Sequence, residues 1–181
     1  MSDVQLMTQM DVTVNSGGEL VLPPRLVIRD ATFTLDGVLT GVDTLTVGDG
    51  GTLTCSATGR TANSSASNYA LQTFVVDGRT DGGAASALAT LAHGVSLEAQ
   101  SLQLVHGTLS VHGQVSLEAQ LLNLTAGASI SGAKPPSPVR SATIRLRNGN
   151  IIRGHSMRST GPICSLATLT VNSPAYITSQ R

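Results

Sequence analysis

The sequence contains no tryptophan and little aromatic mass of any kind, with two phenylalanines and two tyrosines among 181 residues. A globular enzyme of this size ordinarily places more aromatic surface in its core, so the core here is expected to be thin and filled by Val, Leu, Ile, Ala and Thr. Cysteine is nearly absent too. Cys55 and Cys164 lie far apart and form no CxxC pair, which gives neither a metal-ligand spacing nor a disulfide framework, and both are expected to be buried free thiols. No apolar run reaches the ~18 residues of a membrane span. The start, MSDVQLMTQM, has neither the basic region nor the apolar run of a signal peptide. Patterns of the GxSxG, GxGxxG and P-loop kind are missing as well.

What the sequence has is repetition. "VSLEAQ" occurs at Val95 to Gln100 and again at Val115 to Gln120, and the two flanking stretches, Val95 to Gln114 and Val115 to Lys134, share nine identities in twenty without a gap. A recurrence of that length marks a structural unit. Within it Val95, Leu97 and Ala99, then Leu102 and Leu104, then Leu109 and Val111 are apolar at a spacing of two, the period of a strand with one buried face. Gly107 and Gly113 fall where the chain must turn. Such a unit of two or three short strands cannot bury its apolar face alone, whereas stacked copies bury it against one another. The predicted fold is all-β, a parallel β-helix solenoid with coils of about twenty residues. The whole chain, 1–181, forms a single domain of roughly nine coils, ~40 Å tall at the usual strand spacing. Leu97/Leu117, Leu102/Leu122 and Leu104/Leu124 are the expected stacked core pairs, with Gly107/Gly127 at a shared corner.

The same grammar extends outward. "VTVNSGGEL" (Val12 to Leu20) and "LTVGDGGTL" (Leu45 to Leu53) read as equivalent corners of different coils, Pro23-Pro24 belongs at a corner, and Asp36-Gly37 and Asn148-Gly149 read as turns. Three stretches without periodicity, near 56–70, 77–86 and 132–140, are expected to protrude as loops.

Charge is segregated. Residues 1–118 carry all eleven acids and four arginines, while residues 119–181 carry seven cations and no acid. Two readings fit: the solvated corners simply differ in charge along the array, or an acidic end of one molecule meets the basic end of another. The arginines lack interleaved aromatics and any nucleic-acid motif, so no nucleic-acid partner is expected.

The residues that could carry chemistry are acids and histidines. Asp36, Asp43 and Asp49, and Asp77 with Asp81, are the possible carboxylate sets, but Asp36, Asp49, Asp77 and Asp81 adjoin glycines and read as turn formers. Glu98 and Glu118 are stacked by the repeat, which the solvated edge of a coil accommodates. His93, His106 and His112 precede a glycine or lie in a corner, and His155 stands apart. No catalytic, cofactor-binding or metal-binding residue is expected, and no enzyme activity. "TFT" at Thr32 to Thr34 and "TLT" at Thr44 to Thr46, Thr52 to Thr54 and Thr168 to Thr170 suggest the threonine rows that bind ice, but Val95 to Lys134 lacks the motif. No continuous ice face is expected.

The order "LPPRLVI…FTLDGVLTGVDTLTVGDGGTLTCSATGRT", a loop, "FVVDG", then "LQLVHGTLSVHG" and "LLNLTAGASISG" resembles the β-helix segments of large extracellular proteins of the fibrocystin-L kind, over most of residues 12–132. The resemblance implies a right-handed parallel β-helix serving as a stalk or scaffold in a cell-surface or ciliary protein. Asn63-Ser64-Ser65 and Asn123-Leu124-Thr125 fit the glycosylation acceptor pattern of such a location. The expected function is a non-enzymatic structural module that stacks end to end with like modules or adjacent coils, as a homo-oligomer or filament. The alternatives are a cytoplasmic filament protein of the bactofilin sort and a carbohydrate-binding or polysaccharide-processing β-helix, a surface glycan being the possible ligand.

Overall fold

A computed structural model describes residues 3–6, 9–65, 68–78, 86–112 and 115–124, and beyond them the strand segments 129–132, 143–147, 151–153, 168–172 and 176–178. All regular elements among these are β-strands, and none is a helix. The first repeat contributes β1 (Asp3–Leu6), β2 (Asp11–Val14) and β3 (Glu19–Val21). The second contributes β4 (Arg25–Ile28), β5 (Thr32–Leu35) and β6 (Val38–Thr40), and the third β7 (Thr44–Val47), β8 (Thr52–Cys55) and β9 (Arg60–Thr61). Then follow β10 (Tyr69–Asp77), β11 (Leu88–Leu91), β12 (Ser96–Val105), β13 (Thr108–Val111), β14 (Ser116–Leu124) and β15 (Ser129–Gly132). The chain closes with β16 (Thr143–Arg147), β17 (Ile151–Arg153), β18 (Thr168–Asn172) and β19 (Tyr176–Thr178).

The strands fall into three parallel sheets that the chain visits in rotation. The first runs β1-β4-β7-β10-β12-β14-β16-β18, the second β2-β5-β8-β11-β13-β15, and the third β3-β6-β9. Each strand thus pairs with its counterpart one repeat later. Asp3 pairs with Arg25, Arg25 with Thr44, and Ser96 with Ser116. The repeated sequence is therefore in register with itself, as its period predicts: Leu97 faces Leu117, Leu102 faces Leu122 and Leu104 faces Leu124.

Period-two patterning produces this arrangement directly. In Thr-Phe-Thr-Leu (β5) and Thr-Leu-Thr-Cys (β8) the apolar residues are buried and the threonines half-buried, and β-branched threonine suits the pleated outer surface. The inward residues form columns. Leu26, Leu45, Phe74 and Leu102 stack on the first sheet, and Phe33, Leu53, Ala89 and Leu109 on the second. All are at most 3% exposed. The repeat that supplies the large Phe74 also supplies the small Ala89, which keeps the volume of the layer nearly constant.

The corners differ from the sequence reading in three ways. Asn15-Ser16-Gly17-Gly18 and Gly48-Asp49-Gly50-Gly51 share one turn, closed by an N–H to carbonyl bond of 2.8 and 2.9 Å and carrying a positive-φ glycine third (81° and 64°). They are not equivalent corners, however: the first joins the second sheet to the third, the other joins the first sheet to the second. Within β10, β12 and β14 the chain bends without a glycine. The buried parity shifts between Ala99 and Leu102, and Gln72 and Gln100 fall in the gap of the pairing register. The stretch near 56–70 is not one excursion, because Arg60 and Thr61 pair with Val38 and Leu39. The loop near 77–86 falls largely outside the described residues, as do the 132–140 stretch beyond Gly132, Asn148-Gly149 and Gly127.

Candidate functional site

Among the described residues, the void inside the stacked sheets is too small for a ligand. The void between Leu35, Leu39, Leu53, Cys55, Tyr69 and Phe74 is about 10 Å³, far below the ~300 Å³ at which ligand pockets begin. Cys55 is buried and its thiol is pushed up to about 12, mainly by burial and against the influence of a hydrogen bond with Tyr69. A thiol so placed is neither nucleophile nor metal ligand at neutral pH. Tyr69 is likewise raised, by burial first and then by Cys55. Its hydroxyl donates to the Ser56 carbonyl at 2.7 Å and lies 3.2 Å from that of Leu35, so it ties the first sheet to the ends of two strands of the second.

The carboxylates singled out by the sequence are kept apart. Asp36 lies between β5 and β6, Asp43 between β6 and β7, and Asp49 between β7 and β8, three different corners. The backbone of each carries a bond between repeats: Asp36 N–H donates to Val14, Asp43 N–H to Pro24, and the Asp49 carbonyl accepts from Asp30, all within 2.8–2.9 Å. Asp77 ends β10, and Asp81 lies outside the described residues. His93, His106 and His112 are exposed, His106 bridging to Asp77 and His112 lying 3.2 Å from the Ser110 hydroxyl; His155 lies outside the described residues. No cluster of three metal-ligating side chains occurs among the described residues.

Glu98 and Glu118 stack in register, as the repeat predicts, and the next position in the ladder is Arg145. Near the other end Asp3 and Arg25 form an exposed ion pair at 3.2 Å, of a kind worth ~0–1 kcal/mol.

The threonines need a correction. Thr32-x-Thr34 and Thr52-x-Thr54 lie on adjacent strands of the second sheet, in direct register. The neighbouring strand adds Thr90, and the one after it Thr108 and Ser110. Ser129 and Ser131 continue the same two rows in register. The threonine-x-threonine motif does not show these rows in the sequence, because the later rungs use serine and one leucine, Leu88. Thr44 to Thr46 and Thr168 to Thr170 belong to the first sheet and take no part.

A scan against protein-family models, a search of curated proteins and a search of solved structures return no match for this chain.

Proposed function

We propose that the chain is a non-enzymatic structural module, a closed right-handed parallel β-helix that stacks end to end with like modules or further coils of a cell-surface protein. The observation that carries the reading is the in-register parallel pairing of each strand with the one a repeat later, from β1 to β18. Three parallel sheets visited in rotation are the signature of a coiled solenoid, and connections between parallel strands of one sheet are nearly always right-handed. A fold of this kind ends in unpaired strand edges. β1, β2 and β3 each lie at the end of their sheet, and Val21 on β3 is 67% exposed. The separation of acidic and basic residues along the chain adds attraction between opposite ends. The dispersal of the carboxylates over three corners favours a scaffold over a polysaccharide-processing enzyme, which needs them converged. The exposed Asn63 acceptor pattern fits a cell-surface location.

Sedimentation velocity of the full chain at low and high salt tests the reading. Concentration-dependent growth at low salt that recedes at high salt is the expected result. A monomer at both salts and all concentrations rejects self-stacking.

A further inference from the structure

We infer that the outer face of the second sheet is an ice-binding surface, presenting two regular rows of hydroxyls to the water lattice. One row runs Thr32, Thr52, Leu88, Thr108 and the other Thr34, Thr54, Thr90, Ser110, across four consecutive strands. Seven of these eight positions carry a hydroxyl, and none carries a charge. In-register parallel pairing sets the rungs ~4.8 Å apart, and the alternation of side chains sets the rows ~6.7 Å apart. The face therefore repeats in two dimensions, as a crystal surface does.

One further observation and two physical arguments point to ice. The hydroxyls of Thr32, Thr34, Thr52, Thr54 and Thr90 enter none of the side-chain hydrogen bonds among the described residues, in contrast to Thr40, which donates to Glu19, and Thr61, which donates to Ala70. Their capacity is open to water. Threonine is stiff about its first side-chain torsion, so the array is ordered before it binds and loses little freedom on binding. Long ladders of like side chains also hold a sheet flat against its natural twist. Charge decides between ice and other partners: an uncharged face of methyls and hydroxyls complements a neutral hydrogen-bonded lattice, while a protein or lipid surface would call for charged or large apolar anchors. Crystalline polysaccharide is the other regular neutral lattice. Sugar-binding faces use aromatic side chains for stacking, and these rows contain none. Asp11, one strand before Thr32, is the charged boundary of the face.

The test is ice-affinity partition of the full-length chain, with recrystallisation inhibition as a second readout. The protein should concentrate in slowly grown polycrystalline ice and hold crystals small. Thr54→Lys, at the centre of the face, should shift it to the liquid fraction, while Thr46→Lys, the same change on the outer face of the first sheet, should leave it in the ice. Circular dichroism confirms the fold of each. Should Thr54→Lys fail to fold, Thr54→Ser removes only the methyl group and should weaken retention. Exclusion of the parent chain from ice overturns the inference, as does equal retention of Thr54→Lys. Retention on insoluble cellulose or chitin without retention in ice overturns it in favour of a polysaccharide lattice.

Discussion

Replacing Leu104 by aspartate puts the stacked core to a severe test. Leu104 is fully buried and stands in register between Val76 and Leu124. Truncation to alanine removes a buried leucine side chain and leaves a void, at a cost of about 2–5 kcal/mol. A carboxyl group at the same place adds about 1–3 kcal/mol even when it holds its proton, because no partner is at hand. The total approaches the ~5–15 kcal/mol by which an ordinary domain is stable. In thermal melts followed by circular dichroism Leu104→Ala should lose roughly 5–20 °C, and Leu104→Asp should lose more or fail to fold. The deficit should also depend on pH. Burial raises the carboxyl's pKa in the folded state, so the penalty is smallest below the unfolded value near ~4 and grows as the pH rises above it. Gln103, partly exposed one residue earlier, provides the control, and its change to alanine should shift the melt little. A Leu104→Asp chain that melts like the parent refutes the inward column of the first sheet.

Three other changes bear on the same structure. In Gly107→Ala the new Cβ would stand 2.6 Å from Val76 Cγ1 and 2.7 Å from the Val76 carbonyl oxygen, so urea denaturation should reveal a loss of about 1–3 kcal/mol. Tyr69→Phe deprives the Ser56 carbonyl of its 2.7 Å donor and should cost about 1–2 kcal/mol by the same assay. The Cys55 thiol, at 9.0 when exposed and pushed up to about 12 in the fold, contributes stability that is complete below pH 9 and is lost as the pH climbs toward 12. Melting temperatures of the Cys164→Ser chain should accordingly fall across that alkaline window. At pH 8 a thiol reagent should leave the folded chain untouched and react once it is unfolded.

The sequence was most legible where its period was strict. Two copies of VSLEAQ twenty residues apart predict the pairing of Leu97 with Leu117 through Leu104 with Leu124, because register in a parallel stack is simply the repeat length. The gap-free alignment fails after Leu124, where Leu109 pairs with Ile130 and not with Ser129; one added residue restores an apolar partner to the column. Between Thr44 and Thr73, and again between Leu71 and Ala99, the spacing lengthens, so the first sheet has eight strands along its main path where roughly nine coils were expected. The two-residue strand Arg60–Thr61 was hidden by its length. A strand that short shows no alternation, and Thr61, its inward residue, is polar and satisfied by the Ala70 backbone. The threonine rows escaped for a different reason. They are columns across strands up to thirty-six residues apart, as Thr54 and Thr90 are, and become visible only when the register is known.

The most direct test of parallel in-register stacking is the distance between positions 98 and 118. With spin labels on the exposed Glu98→Cys and the half-exposed Glu118→Cys, in a Cys164→Ser chain whose buried Cys55 stays unlabelled, adjacent parallel strands place the labelled backbones ~4.8 Å apart. The doubly labelled chain should give a strongly broadened continuous-wave spectrum that sharpens on unfolding. A spectrum equal to the sum of the two single labels would contradict the stacked repeat, and with it the scaffold and the ice face that depend on it.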